Sequence, residues 1–390
     1  MPPAAQVRPQ NHPANQAQGP GPSPVPNTIP FINAAHEHTE PFLDQSIPLG
    51  ASAVNVGPIN IPSYGYLRHV FLECSFSGGV LGAGVLSADF PWNVFQSISL
   101  YDTYGAPIFG PLDGYATYIT NLVGGYAFRM DPASSPWFSS TINGSFFLRV
   151  PIEISHHDAL GSLANQNSAA TYQLNFVVNP STVVYSTAPT TAATLRVRGA
   201  LEAWSLPNAT DRAGRPQAQL PPAHGTTQYW SNQIRPIAVG NNTTALTRTG
   251  NMIRNLVFIT RTAAGARSDA VFPNPAQIMW DARSMNMDTQ NYRTQQWFEK
   301  SNLSARPTGV FVWNFNHSRD NIAGDDSPAL WWGTVQASRI ELVGVSEVAG
   351  NAQIMTNDIA PGEVTPSERY VETSATGFHP QVGTPVPGAM

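Results

Sequence analysis

The stretch that decides the fold is residues 66–76, YLRHVFLECSF, which reads as a buried β-strand with one arginine near its start. The same pattern recurs at residues 252–258, MIRNLVF, where an apolar residue, an arginine and a polar residue precede three apolar ones. Arg68 and Arg254 therefore mark the same position in two strands that lie about half a chain apart. A recurrence of this kind predicts a duplicated domain.

Two further matches occur in the same order. A helical pattern begins at Asp113 and is expected to end at Gly124-Gly125; its apolar face comprises Tyr115, Tyr118, Ile119, Leu122 and Tyr126. A poorer helical pattern covers residues 288–301, from Asp288 through Tyr292, Trp297 and Phe298. Residues 195–204, LRVRGALEAW, match residues 340–348, IELVGVSEV, with Gly199 opposite Gly344 and Glu202 opposite Glu347. The order is kept while the spacing shortens, which predicts a tandem duplication whose second copy has shorter loops.

The composition favours an all-β protein with covered outer surfaces. The 390 residues are 42% hydrophobic but only 12% charged, about half the usual charged fraction. Charged residues are depleted where surface is buried between subunits, although a polar extracellular β-protein would also fit. The formal net charge of −5 argues against strong attraction to nucleic acid or to an anionic membrane.

Cysteine usage and hydropathy narrow the class further. Cys74 is the only cysteine, so no disulfide forms within one chain, and we expect this residue to be a small buried hydrophobe. No apolar run approaches the ~20 residues that span a bilayer. The first residues lack the charged and apolar segments of a signal peptide. We therefore predict that the protein is made in the cytoplasm of its host.

The distribution of proline and glycine divides the chain. The first 30 residues contain nine prolines, four glutamines and one charged residue, Arg8, which predicts an extended arm. The predicted organisation is an N-terminal arm at 1–40, a first domain at 41–207, a linker at 208–225, a second domain at 226–357 and an extended tail at 358–390.

Each domain carries many short strands and one helix. In the first domain we expect strands at 67–76, 92–101, 146–154, 171–178 and 195–204. In the second domain we expect strands at 229–239, 251–262, 277–283, 309–315, 329–334 and 339–348. Short strands, long loops and one helix per half predict two tandem eight-stranded jelly rolls (a double jelly roll) with short helices and extended terminal arms.

Polar clusters offer few candidate sites for chemistry. A metal site or acid–base pair could be built on three short groups: His156-His157-Asp158, His36-Glu37-His38, and Arg319-Asp320 with Asp325-Asp326. Each reads more simply as a solvated loop, because no second cluster has matching ligand spacing. No nucleophile elbow, phosphate loop or zinc motif appears. We therefore predict no enzyme activity, no cofactor and no metal.

Aromatic and asparagine motifs have structural alternatives as well. A sugar-stacking platform could be formed by Phe311, Trp313, Phe315, Trp331 and Trp332. Alternation places the first three on one face of a strand, which favours core packing. The glycosylation pattern occurs at Asn143, Asn208 and Asn302, as expected by chance in a chain rich in Asn, Ser and Thr.

The strand order resembles that of the double jelly-roll major capsid proteins of tectiviruses, the tailless phages with an internal membrane, in the lineage that includes adenovirus hexon. The resemblance rests on residues 148–155, 158–163 and 172–176, on the helical region 292–303, and on 308–315 followed by 339–348. Pro307-Thr308-Gly309-Val310-Phe311 matches the strand start that follows the second helix in that family. The resemblance covers roughly residues 41–350. The proline-rich arm departs from the helix-forming arm of some relatives.

The resemblance implies a homotrimer that is pseudo-hexagonal, because three chains present six similar units. Such capsomers contact neighbouring capsomers in an icosahedral virion shell, together with penton, minor capsid or membrane proteins. The terminal arms would contact neighbours or the internal lipid membrane, and direct nucleic-acid binding is not expected.

Two other functions remain open from the residues alone. One is a two-domain carbohydrate-binding β-sandwich protein that uses its tryptophans as platforms. The other is a hydrolase centred on His156, His157 and Asp158. Neither explains the two long arms or the low charge.

Overall fold

The computed structural model describes residues 29–124, 138–155, 158–208, 210, 212, 214, 227–281, 283–286, 306–315, 331–334 and 337–359. The predicted second helix at 288–301, most of the linker, most of the N-terminal arm and the tail beyond residue 359 lie outside these ranges.

The described part of the first half of the chain contains eleven strands. They are β1 (Glu37–Pro48), β2 (Val54–Asn60), β3 (Tyr66–Ser77), β4 (Val85–Leu86), β5 (Phe95–Tyr101), β6 (Pro107–Leu112), β7 (Ser145–Pro151), β8 (Leu163–Ala164), β9 (Gln173–Val178), β10 (Tyr185–Thr187) and β11 (Thr194–Trp204). Three α-helices accompany them, α1 (Phe31–Ala34), α2 (Gly114–Gly124) and α3 (Ser181–Val184), with a 3₁₀ turn at Trp92–Val94.

The described part of the second half contains nine strands. Its strands are β12 (Gln228–Ile237), β13 (Gly240–Leu246), β14 (Met252–Thr262), β15 (Ala276–Trp280), β16 (Arg283–Asn286), β17 (Val310–Asn314), β18 (Trp332–Gly333), β19 (Ile340–Ser346) and β20 (Gly350–Ile359). A 3₁₀ turn covers Asp269–Val271.

Both halves have the same sheet topology. The first forms the layers β1-β11-β3-β7 and β2-β9-β5-β6; the second forms β12-β20-β14-β17 and β13-β19-β15-β16. Neighbouring strands within each layer are antiparallel, and each half has the connectivity of an eight-stranded jelly roll. Even the short strands correspond, because β8 pairs with the start of β3 as β18 pairs with the start of β14. The predicted double jelly roll is confirmed.

One sheet runs through both jelly rolls. Strand β6 lies beside β12 in parallel, with Phe109 opposite Trp230, and this joins β2-β9-β5-β6 to β12-β20-β14-β17. We call the contact between the two jelly rolls the joint; it comprises the pairing of β6 with β12 and the packing of α2 and the first core against sheet β12-β20-β14-β17.

Several predicted elements need correction. Residues 195–204 and 340–348 were expected to be equivalent, which is wrong: β11 corresponds to β20, and β19 corresponds to β9. The predicted strand 277–283 is two strands, because a turn at Asp281, with φ of 51°, separates β15 from β16. Sequence reasoning also missed eight strands, which are β1, β2, β4, β6, β8, β10, β13 and β20. Strand β1 begins at Glu37, before the predicted boundary at 41, and β20 ends at Ile359, beyond 357.

Each jelly roll encloses its own core. The first core contains Leu72, Cys74, Phe95 and Phe146, and the second contains Phe258, Ile278 and Leu342. Cys74 is fully buried, as predicted, and burial raises the pKa of its thiol well above the usual value. Helix α2 begins after Asp113 and ends at Gly124, also as predicted.

Candidate functional site

Helix α2 is tied to the second jelly roll at its N-terminus. The Asp113 carboxylate caps the helix by accepting a hydrogen bond from the Ala116 N–H at 2.8 Å. Its second oxygen accepts a hydrogen bond of 2.7 Å from Gln353 Nε2 on β20. The same side chain thus starts a helix of the first jelly roll and holds the last strand of the second.

The other end of α2 meets an arginine of the second jelly roll. Arg254 on β14 is only 2% exposed. Its guanidinium donates to the Gly124 carbonyl at 3.4 Å and to Asn357 Oδ1 at 3.3 Å. A cation at the C-terminus of a helix satisfies a free carbonyl and is favoured by the helix dipole.

Between these two ends the contact is apolar. The outward-facing side chains of sheet β12-β20-β14-β17 belong to the core of the first jelly roll, and they are Trp230, Val257, Ile259, Val310, Val312 and Met355. The alternate side chains of β14, Leu256 and Phe258, face the second core. Strands β14 and β20 are therefore covered on both faces and are buried along most of their length.

An ionic contact closes the rim of the joint. The Asp89 carboxylate, from the first jelly roll, accepts from Arg261 at 2.5 Å and from Arg267 at 2.9 Å. Both guanidinium groups lie over the Tyr115 ring of α2, at 5.6 and 4.6 Å from its centroid. Burial raises the pKa of Tyr115 to about 12, so its hydroxyl stays neutral.

The two repeated arginines occupy the same β-bulge. On β3, Leu67 and His69 face consecutive residues of β11, so Arg68 is the extra residue. On β14, Ile253 and Asn255 face consecutive residues of β20, so Arg254 is the extra residue. A bulge redirects a side chain out of the regular alternation, and here it turns an arginine toward the end of each jelly roll.

The partners of the first arginine lie within its own jelly roll. Arg68 makes two hydrogen bonds to the buried Glu153 carboxylate, at 2.9 and 3.0 Å, and one to Glu37 at 2.7 Å. Glu153 also accepts from Trp204 Nε1 at 2.6 Å and from Ser162 at 3.1 Å. Burial raises the pKa of Glu153, and the charge of Arg68 opposes that rise.

A short docked segment covers this ion pair. Phe31 of α1 is 3% exposed and packs edge-on against Tyr66 and Trp204, with Ala159 in the same cluster. The next residue along that loop, Leu160, packs with Ile359 at the end of β20. The first and last described parts of the chain therefore pack in clusters that contain neighbouring residues of one loop.

The outer face of sheet β1-β11-β3-β7 differs from the outer face of sheet β12-β20-β14-β17. Three arginines on β7 and β11 pair with three carboxylates across the face of β1-β11-β3-β7: Arg149 with Glu202, Arg196 with Asp44, and Arg198 with Asp44 and Glu73. The side chains of Arg198, Asp44 and Glu73 are about half exposed, at 49, 51 and 52%.

The residues of the predicted group His36-Glu37-His38 have separate partners in the structure. His36 bonds to Ser205 through its backbone, Glu37 bonds to Arg68, and His38 stacks on the Tyr64 ring at 4.0 Å. His156, His157, Arg319, Asp320, Asp325 and Asp326 lie outside the described residues, and Asp158 accepts from the Leu160 N–H. Within the described ranges, no group of three or more His, Cys, Asp or Glu side chains is placed to hold a metal ion.

The predicted aromatic platform is divided between two cores. Phe311 and Trp313 are 4% exposed and belong to the second core, with Phe315 and Trp332 packed against it. Trp331 is 5% exposed and packs with Ile154 and Leu160 of the first jelly roll. Core packing, the simpler interpretation of the alternation, is confirmed for these side chains.

Of the asparagines in glycosylation patterns, Asn143 is engaged with the backbone. Its side chain accepts from the Gly79 N–H and donates to the Gly79 carbonyl, both at 3.0 Å. Asn302 lies outside the described residues.

The residues of the joint were largely missed from the sequence. Arg254 carried a signal, because an arginine inside an apolar strand is costly to bury without a partner. It was interpreted only as a marker of duplication. Gln353, Asp89 and Arg267 stand in polar, loop-like stretches that look like ordinary surface. Among the described helices, none is both long and apolar enough to cross a membrane.

No protein-family model and no curated protein matches the chain. Solved structures do match. The crystal structure of the major capsid protein of Sulfolobus turreted icosahedral virus has a TM-score of 0.57 and 11% identity over 87% of this chain and 99% of that chain. The atomic structure of the same virus gives a TM-score of 0.57 and 11% identity, over 87% and 95% of the two chains. The major capsid protein P2 of bacteriophage PM2 has a TM-score of 0.48 and 9% identity, over 82% and 97%. The first two likenesses extend over both jelly rolls and establish the shared fold.

Proposed function

We propose that this chain, whose double jelly roll is shared with viral major capsid proteins, is itself a major capsid protein that trimerises into pseudo-hexagonal capsomers and forms the icosahedral shell of a membrane-containing bacteriophage. The observation that carries the proposal is the joint. It connects two similar jelly rolls by a shared sheet and a buried apolar contact. Three such units around an axis present six similar edges, which suits a hexagonal lattice.

The positions of Phe31 and Ile359 support a common side for the arms. Phe31 shares a cluster with Ala159, and Ile359 shares a cluster with Leu160, so both residues lie near one loop and at the same end of the molecule. We propose that this end faces the shell interior. There the arms would contact neighbouring capsomers, penton or minor capsid proteins, membrane proteins or the internal membrane.

The physical chemistry of the surface supports a structural role. Low charge suits a shell in which much of each surface is covered by other copies. The described residues build apolar contacts and paired charges, and the aromatic side chains of the predicted platform pack in hydrophobic clusters. For this reason a carbohydrate-binding function is not proposed as a second candidate.

The native mass of the purified chain tests the proposal. We expect a species of about 126 kDa, three times the 42.0 kDa chain, with a hexagonal outline in negative-stain images. A stable monomer at high concentration, with neither trimers nor shells, would overturn it.

Deletion of the arm tests its role in assembly. The cut belongs after residue 28, because Phe31 is buried and β1 begins at Glu37. We expect the shortened chain to keep its trimer and thermal stability but to form shells less efficiently. A deletion through residue 36 is the control and should lower stability, since it also removes the Phe31 contact. Normal shell formation by the shorter deletion would reject a role for residues 1–28.

A further inference from the structure

Each of the two edge strands that pair in the joint has a topological equivalent elsewhere in the chain. Within one chain, the joint uses the edge strand β6 of the first jelly roll and the edge strand β12 of the second. Their topological equivalents are β16 and β1, the outermost strands of sheets β13-β19-β15-β16 and β1-β11-β3-β7. Among the described residues, β16 pairs only with β15, and β1 pairs only with β11. Within the described residues, β16 and β1 therefore each keep one edge that is not paired with another strand.

We propose that the free edge β16 of one chain pairs in parallel with the free edge β1 of a second copy of this chain, so that the joint is repeated between chains. This inference rests on the proposed function, because it names the contact by which the trimer would close. A head-to-tail contact of this type generates a ring when its rotation closes.

The position of the contact follows from the shared bulge. Glu202 on β11 and Asn357 on β20 lie opposite the residues that follow Arg68 and Arg254. Across from them stand Thr39 on β1 and Trp230 on β12, so these two positions are equivalent. Trp230, which faces β6, is 1% exposed. Thr39 is exposed, as expected for the same position without its neighbour.

The chemistry of the adjoining face indicates a copy of this chain as the occupant. Its arginines and carboxylates already pair with one another, three of each, so the described face offers no excess of either charge. A nucleic acid would need unpaired cations. A neutral partner brought in by strand pairing needs only a matching free edge, and β16 supplies one in every copy.

The polarity of this face also fits a contact made after folding. The outer face of strands β20, β14 and β17 is mostly apolar and is buried against the first core within each chain. The outer face of β1-β11-β3-β7 bears half-exposed ion pairs that remain hydrated in a free chain. Subunit contacts formed between soluble chains are more polar than those of a permanent core.

Disulfide cross-linking tests the pairing. The full chain would carry Thr39→Cys together with one of Arg283→Cys, Ser284→Cys, Met285→Cys or Asn286→Cys, which together cover every position of β16. Paired strands bring Cα atoms within the range of a disulfide. Native Cys74 is fully buried and should not interfere. On oxidation we expect at least one pair to shift the 42.0 kDa band to two- and three-chain species.

Two controls decide whether the link lies between chains at this edge. Mixing chains that carry only Thr39→Cys with chains that carry only the β16 cysteine should give two-chain species and nothing larger. Replacing Thr39→Cys by Asn55→Cys, on the exposed edge strand β2, should abolish the link.

The outcomes separate this inference from the proposed function. A native trimer without a β1–β16 link in any register, or with equal linking from Asn55→Cys, overturns the pairing and leaves the capsid function standing. A chain that forms no oligomer overturns both.

Discussion

Sheets β12-β20-β14-β17 and β1-β11-β3-β7 are equivalent in topology, yet their outer faces have opposite character. The first face is apolar and continuous with the neighbouring core, whereas the second carries arginine–carboxylate pairs. Equivalent positions make the contrast concrete: counting from the shared bulge, Val257 corresponds to Phe71 and Gln353 to Arg198. A face covered in every folded chain loses its charges, while a face that meets water keeps them.

The largest expected effect comes from placing a charge on the two faces. Val257→Asp puts a carboxylate at a position that is 0% exposed, which should cost about 5 kcal/mol or more and leave most of the protein insoluble. Phe71→Asp, at the equivalent half-buried position, should cost only about 1–2 kcal/mol of chain stability. Chemical unfolding and soluble yield measure both. Equal losses would mean that the two faces are equally covered.

The second-largest expected effect on stability comes from replacing Arg68, the bulge arginine of the first jelly roll. Arg68→Ala leaves the buried Glu153 without its cation and should lower the free energy of unfolding by about 3–5 kcal/mol at neutral pH. Glu37→Ala removes only the exposed partner, which is 69% exposed, and should cost less than about 1 kcal/mol.

The sign of the pH dependence follows from Glu153. Burial already raises its pKa, and loss of Arg68 removes the charge that opposes this rise. The stability of Arg68→Ala is therefore closest to that of the unmodified chain at low pH, where Glu153 is protonated in both the folded and the unfolded state. Its stability falls as the pH rises through the raised pKa of Glu153. Thermal unfolding between pH 4 and 7 measures this. A deficit that grows on acidification would contradict the assignment of Glu153 as the buried partner.

The smallest expected effect on stability comes from replacing two polar side chains at equivalent positions of the two sheets. Gln353→Ala removes the hydrogen bond to the Asp113 cap and should cost about 1 kcal/mol. Arg198→Ala, at the matching position of the first sheet, removes two ion contacts of 3.7 Å at the surface and should change stability by less than about 0.5 kcal/mol. Thermal melts of the two variants resolve the difference, and a larger shift for Arg198→Ala would reverse the comparison.

The duplication was predictable where both copies kept a costly residue. Arg68 and Arg254 identified β3 and β14, because each arginine sits at a bulge that both jelly rolls retain. The helix at Asp113 was predictable from its cap and its apolar face. Alternating strands such as β9, whose residues are buried and half-buried in turn, were found for the same local reason.

The match between residues 195–204 and 340–348 failed because its glycines serve different contacts. A Cβ at Gly199 would press on Leu43, whereas a Cβ at Gly344 would meet the Pro275 carbonyl. The true counterpart of β11, strand β20, does not alternate, since both of its faces are buried and its polar side chains bind α2, β12 and β14. A strand shaped by a contact between domains carries no local pattern that a sequence reader can use.

The continuity of the first core with the second sheet has a consequence for synthesis. That core includes Met355, which leaves the ribosome long after α2. Translation at about 5–20 residues per second separates Gly124 from Met355 by roughly 10–50 s. During this interval the nascent first jelly roll presents an uncovered apolar side, and a chaperone or a neighbouring nascent chain on the same message can reach it. The order of the strands in the sequence therefore sets how long the nascent chain exposes an apolar surface to intermolecular association.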